Sequence, residues 1–186
     1  MENISSLLRA KKEGFVVSIY SNWNEPEKCS VGFVEDISND QIILKHITPH
    51  GLNDGYAIRK RDDVFRVDLN GQYEKRLLTL YNLQGQKHIN LLQNKTDKDS
   101  NLFKEALLSA QKLNMVINAC IDETEAQESI VGWVKEVNND EVVISQISFD
   151  GLDDGESIIF IANIVKINCD SLDERVMGLL NSELKK

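Results

Sequence analysis

Apolar and polar residues along this chain change places at two different periods, and the switch between them outlines the elements. Phe65, Val67 and Leu69 alternate with Arg66 and Asp68, and Val165, Ile167 and Cys169 alternate with Lys166 and Asn168. Alternation at period two is the signature of a strand with one face buried. By the same reading Phe15–Tyr20, Ser30–Ile37, Gln41–Ile47, Tyr56–Lys60 and Val64–Leu69 are predicted as five strands. Asn39-Asp40 is a tight-turn signal between the second and third, because Asn and Asp tolerate left-handed backbone. Helical spacing brackets the strands. Ile4, Leu7, Leu8 and Ala10 form a short stripe that closes near Gly14, and Tyr73, Leu77, Leu80 and Tyr81 form another after the fifth strand.

The whole order then occurs a second time. Subtracting one hundred from the later residue numbers aligns the two halves from residue 14 to residue 81 without a gap. Identities include Val16/Val116, Glu25/Glu125, Gly32/Gly132, Asp40/Asp140, Gly51/Gly151, Leu52/Leu152, Gly55/Gly155, Ile58/Ile158 and Leu80/Leu180. Apolar residues face apolar ones between them, as in Ile42/Val142 and Val67/Ile167. The second copy opens on a clearer helix: Ser100 is its candidate cap, and Leu102, Phe103, Ala106, Leu107, Ala110 and Leu113 share one face. It closes on Ser171-Leu172-Asp173-Glu174, a capping box before a stripe of Val176, Met177 and Leu180. A period this long is a duplicated small domain rather than a solenoid. The expected division is residues 1–83, a linker at 84–100 and residues 101–186. Lys95–Ser100 is the most linker-like part, while Ile89, Leu91 and Leu92 suggest that the earlier part packs on something.

A helix and then five short antiparallel strands with tight turns is the order of a small, strongly bent barrel. The expected fold is mainly β with flanking helices: two tandem five-stranded antiparallel barrels, each preceded and followed by a helix. The glycine of the second strand (Gly32, Gly132) and the nearly continuous run Tyr56–Val67 resemble the Sm-like and SH3-like small barrels. In Sm-like RNA-binding proteins, Asp and Asn near the second and third strands and an Arg-Gly in the last pair form a base pocket. Here Asn39-Asp40 lies in the turn, Arg59 is followed by Lys60, and Ile159-Phe160 stand at those places in the second copy.

Composition sharpens the picture in two respects. The chain has 186 residues and a net charge of −9, and domains of about 80 residues bury only ~60–65% of their unfolded surface, so association is favoured. Residues 1–100 hold fourteen acids and fourteen bases, so the whole surplus falls on residues 101–186, with sixteen acids and seven bases. A polyanion would be repelled there and received only by a local basic patch on the first half. No run reaches the ~20 apolar residues of a membrane span, and the first residues lack the pattern of a signal peptide. Cys29, Cys120 and Cys169 form no CxxC and read as free thiols of a reducing cytosol.

Candidate chemistry is sparse. Arg59, Lys60, Arg61 and Arg66, with Lys45 and His46 near them, form a basic cluster that either contacts phosphates or pairs with Asp62 and Asp63 on a solvated turn. Trp23, in a polar loop, either anchors a partner or folds back on its own barrel. Trp133 aligns with Phe33 and is expected in the core. His46, His50 and His88 read as surface histidines, and the acidic loop Asp150–Glu156 as a turn rather than a calcium site. No nucleophile–base pair, phosphate loop or metal spacing occurs, which implies no enzyme, no metal and no cofactor. The expected role is a cytoplasmic, non-catalytic adapter that binds a protein partner or itself. The alternative is RNA or DNA binding through the basic face of the first barrel, opposed by the net charge.

Overall fold

The computed structural model describes residues 2–122 and 128–186, and the side chains from Ser5 onward. Ile4 of the first apolar stripe and Glu125 of the pair Glu25/Glu125 lie outside the described side chains. The chain folds as two compact units: Met1–Asn90 with Thr96–Leu102, and Leu91–Lys95 with Phe103–Lys186.

The first unit holds α1 (Glu2–Glu13), β1 (Val16–Tyr20), β2 (Ser30–Ile37), β3 (Gln41–Ile47), β4 (Asn53–Lys60), β5 (Arg66–Leu69) and α2 (Gln72–Leu83). Its antiparallel strands follow the order β5-β1-β2-β3-β4. Among the described residues no ladder joins β4 to β5, so the series is open there. Alternation along β1 feeds two cores. Val17 and Ile19 pack with Leu7 and Ala10 of α1, together with Val34, Ile42, Leu44 and Ala57. Val16, on the opposite face, packs with Val31, Ile47, and Leu77 and Tyr81 of α2. Each helix thus covers one face of the same sheet.

The second unit repeats the pattern with α3 (Leu102–Leu113, all but its first residue), β6 (Val116–Cys120), β7 (Ile130–Val137), β8 (Glu141–Ile147), β9 (Asp153–Phe160), β10 (Lys166–Cys169) and α4 (Leu172–Leu184). Its strand order is β10-β6-β7-β8-β9. A 3-10 turn at Ile161–Asn163 leads from β9 towards β10. Val116, Ile147 and Met177 cluster with Val131 and Trp133, so Trp133 packs against the core as expected.

The glycines shared by both halves have steric reasons. A Cβ on Gly32 would stand 2.0 Å from the Lys45 carbonyl oxygen, and one on Gly132 2.0 Å from that of Ser145. The same one-residue register shifts follow in both ladders, after Val34 and Val134 and again after Lys45 and Ser145. Such bulges bend and twist a sheet. Gly51 and Gly151 adopt φ of +76° and +80°, and a Cβ at either would lie 2.5 Å from the Cβ of Leu80 or Leu180. The identity Leu80/Leu180 is therefore the helix side of a contact that both units make, with the loop glycine as the other side.

Three strand starts differ from the sequence reading, that of β1 by a single residue, Val16 for Phe15. β4 begins at Asn53 rather than Tyr56, because Asn53 pairs with Ile47 and its N–H donates to the Gln86 side chain at 2.9 Å. β5 begins at Arg66 rather than Val64, since Val64 closes a short turn by donating to the Arg61 carbonyl. Residues read as linker are also held. Asn53 Nδ2 donates to the Lys87 carbonyl and the Tyr56 hydroxyl to that of Ile89. Asn39 donates to the Lys98 carbonyl and, through Nδ2, to Asp99. Leu91 is fully buried, while Ile89 is 61% exposed.

Candidate functional site

The basic cluster of the first unit does not assemble into one phosphate-facing patch. Arg59 donates from Nε to the Ser30 hydroxyl at 3.1 Å and from Nη1 to the Ile58 carbonyl at 2.9 Å. Arg61 donates from Nη1 to the Ser38 carbonyl at 3.1 Å, not to Asp62 or Asp63. Lys60 lies between them at the end of β4. Arg66 sits apart on β5, forked onto Asp68 at 3.0 and 2.6 Å, with its guanidinium 4.5 Å from the centre of the Tyr20 ring. These arginines turn donors towards carbonyl, hydroxyl and carboxylate groups of their own unit.

Trp23 joins Arg66 rather than the rest of the basic cluster. Its ring lies 4.2 Å from that of Phe65, which in turn lies 6.4 Å from Tyr20. Trp23 therefore folds onto its own sheet and is still 70% exposed. Beyond this row opens a cleft of about 620 Å³ lined by Tyr20, Arg66, Asp68, Gly71, Gln72, Tyr73 and Glu74 among others. Glu74, though buried, accepts from the Ser18 hydroxyl at 2.6 Å. Burial pushes the Tyr20 phenol up to about 12, with Cys29 and Asp68 adding to the shift and Arg66 opposing it. Burial likewise raises the Cys29 thiol, against hydrogen bonds from Tyr20 and Ser18, so it stays protonated at neutral pH. Of the cleft's charged groups, Arg66 pairs with Asp68, while Glu74 is held by the Ser18 hydroxyl.

The histidines are not all surface groups. His46 Nδ1 lies 2.9 Å from Asp54 Oδ2. His88 is half-buried between Tyr81, stacked at 5.7 Å, and Tyr56, edge-on at 5.7 Å. Its Nε2–H donates to the Gly55 carbonyl at 3.0 Å and its Nδ1 accepts from the Tyr81 hydroxyl at 2.8 Å. Desolvation, chiefly, lowers its pKa to about 4, which fixes the neutral ring these two bonds require. Among the described residues no group of three or more His, Cys, Asp or Glu is placed to hold a metal ion. Nor is any helix there long and apolar enough to cross a membrane.

The second unit carries a feature that the sequence reading missed. The spacing of Val176, Met177 and Leu180 predicts one core-facing stripe on α4. Met177 is buried, but Val176 is 55% and Leu180 43% exposed. The face that α4 buries consists of Glu174, Met177, Gly178 and Asn181. Glu174 completes the expected capping box, accepting from the Ser171 N–H at 2.7 Å. Gly178 lets Trp133 and Val116 approach, for a Cβ there would stand 3.0–3.3 Å from their side chains. Asn181 donates from Nδ2 to the Gly151 carbonyl at 2.8 Å and to Asp153 Oδ1 at 2.9 Å, and its own Oδ1 faces Trp133 Nε1. The outward face is apolar instead: Leu172, Val176, Leu179, Leu180 and Leu184 are 39–71% exposed. Phe149 and Leu152 flank Gly151, which packs against Leu180, and are 80% and 56% exposed.

The corresponding positions of α2 in the first unit are more polar, although Tyr73 and Leu83 are exposed there, at 41% and 78%. Gln72, Arg76 and Thr79 of α2 and Gln84 at its end stand where Leu172, Val176, Leu179 and Leu184 stand on α4, and Pro49 stands in place of Phe149. Arg76 donates to the Pro49 carbonyl and Gln84 to the His50 carbonyl, so the polar face ties the helix to its loop. Aligning the two halves displays these substitutions; the orientation that gives them meaning comes only from the fold. No protein-family model, no curated protein and no solved structure matches this chain.

Proposed function

We propose that the chain is a non-catalytic protein-binding module, with the outer face of α4 and the 149–152 loop as its contact surface. The observation that carries the reading is the outer face of α4, which turns five large apolar side chains outward while Glu174 and Asn181 share the buried face with Met177. Burying a Leu or Val is worth about 1.5–3 kcal/mol, so a helix that forgoes this on one whole face has a use for it elsewhere. Scattered exposed leucines are ordinary, but a contiguous apolar face marks an interaction site.

Each unit is read as a small barrel of the SH3-like and Sm-like kind. The strand order 5-1-2-3-4, the paired bulges and the short connection from the fourth to the fifth strand support that reading. Nucleic-acid binding through Arg59, Lys60, Arg61 and Arg66 is the weaker alternative, because Arg59, Arg61 and Arg66 already engage protein acceptors and the chain is acidic.

A photo-crosslinking side chain at Leu179, with one at Thr79 on the equivalent face of α2 as control, tests the surface in the living cell. Discrete adducts from position 179, absent from position 79 and lost on Val176→Asp, are expected. Equal labelling from both positions would remove α4 as the contact surface.

A further inference from the structure

The charges around the α4 face point to the kind of protein it receives. Five carboxylates lie on or beside it: Asp150 and Asp153 in the loop and start of β9, and Asp170, Asp173 and Glu183 at the two ends of the helix. Three cations stand among them. Lys185 lies 2.9 Å from Asp153, Lys186 lies 2.6 Å from Glu183, and Arg175 lies 3.8 Å from Asp170. Each cation is thus set against a carboxylate of the same border, and Asp150 and Asp173 remain as surplus negative charge around an apolar stripe. The unit as a whole deepens that field, since residues 101–186 carry the entire net charge of −9.

We propose that the α4 face docks a basic amphipathic helix, with apolar side chains laid along Leu172, Val176, Leu179 and Leu184 and flanking Lys or Arg set against the acidic border. This rests on the reading of α4 as a protein-binding surface. Dimensions suit a helix: α4 has 13 residues, about 20 Å of axis, which accepts three or four turns of a partner laid alongside. The loop residues Phe149 and Leu152 form one wall, so a partner apolar stripe at i, i+3, i+4 and i+7 has two surfaces to fill. A second copy of this chain fits less well, because it would bring a second acidic border against the first.

The test uses the full chain, labelled with ¹⁵N, and three probes. One is a synthetic leucine–lysine amphipathic helix of roughly 14 residues, long enough to span α4. The second is the same peptide with every lysine replaced by glutamate, and the third is the unlabelled chain itself at rising concentration. Shifts confined to α4 and residues 149–154 with the basic peptide alone are expected. Val176→Asp with Leu179→Asp is expected to weaken binding about tenfold or more, and 0.5 M salt several-fold. Asp150→Lys with Asp173→Lys, an exposed change independent of the first, is expected to transfer preference to the acidic peptide. Equal response to both peptides, or response to the second copy alone, overturns the basic-helix assignment and leaves the protein-binding reading standing. No shift on α4 with any probe overturns both.

Discussion

Asn181 Nδ2 donates to the carbonyl of Gly151 at 2.8 Å from a position only 3% exposed. A helix that devotes its buried face to an amide holding a loop turn cannot also bury its leucines there. The loop, in turn, can hold that conformation only with glycine, at φ of +80° and in contact with Leu180. This pair sets the orientation of α4 and hence what it shows to the outside.

Removing the amide should therefore cost stability without removing apolar burial. Asn181→Ala leaves the Gly151 carbonyl without that donor, and a loss of about 1–3 kcal/mol is expected in urea unfolding. Asn181→Leu should not recover it, because the carbonyl still lacks the donor.

The two faces of the closing helices should differ in sensitivity. Leu77→Ala, at a fully buried site, is expected to cost about 2–5 kcal/mol. Leu179→Ala, at a 71% exposed site, is expected to change stability by no more than about 0.5 kcal/mol. Equal losses in chemical denaturation would mean that the outer face of α4 is packed.

Glycine replacements separate collision from backbone strain. Gly132→Ala would place a methyl 2.0 Å from the Ser145 carbonyl oxygen, so the β7–β8 ladder must open. A loss beyond about 3 kcal/mol, or failure to fold, is expected. Gly155→Ala meets no atom within 4 Å and carries only the strain of φ +77°, expected at about 1–2 kcal/mol. Thermal melts of the two variants should show that order.

His88 ties stability to pH with a definite sign. Its folded pKa is depressed, mainly by desolvation, to about 4 from an ordinary 6.5. A depressed value means the unfolded chain takes up the proton first, so the group's contribution is complete above about pH 6.5 and is lost as pH falls towards 4. The melting temperature should fall through that window, and His88→Gln should flatten the fall relative to the wild-type chain.

Much of the architecture was legible because the chain states it twice. β2 and β3 run from Ser30 to Ile37 and from Gln41 to Ile47, as their alternation and the Asn39-Asp40 turn indicate. What stayed illegible depended on distant partners. The start of β4 is fixed by Gln86, thirty-three residues away, and no local pattern carries that. His88 looks like a surface residue in a polar stretch until Tyr56, Tyr81 and Gly55 close around it. For α4, Val176, Met177 and Leu180 fit one stripe by spacing, yet only Met177 faces inward. Spacing gives the angle between residues on a helix, not the direction of the core. The comparison Arg76/Val176 and Thr79/Leu179 held the missing signal, since one copy keeps polar residues where the other is apolar.

Hydroxyl-radical footprinting of α4, on the purified chain and on the same chain inside its native cells, tests the contact surface most directly. Leu172, Val176, Leu179 and Leu184 are expected to oxidise readily in the purified protein and to be protected in the cell. Leu77 and Leu107 should be protected in both. Protection of the α4 leucines already in the purified chain at a concentration where it is monomeric would contradict the orientation of the helix, and equal oxidation in both settings would contradict its role as a contact surface.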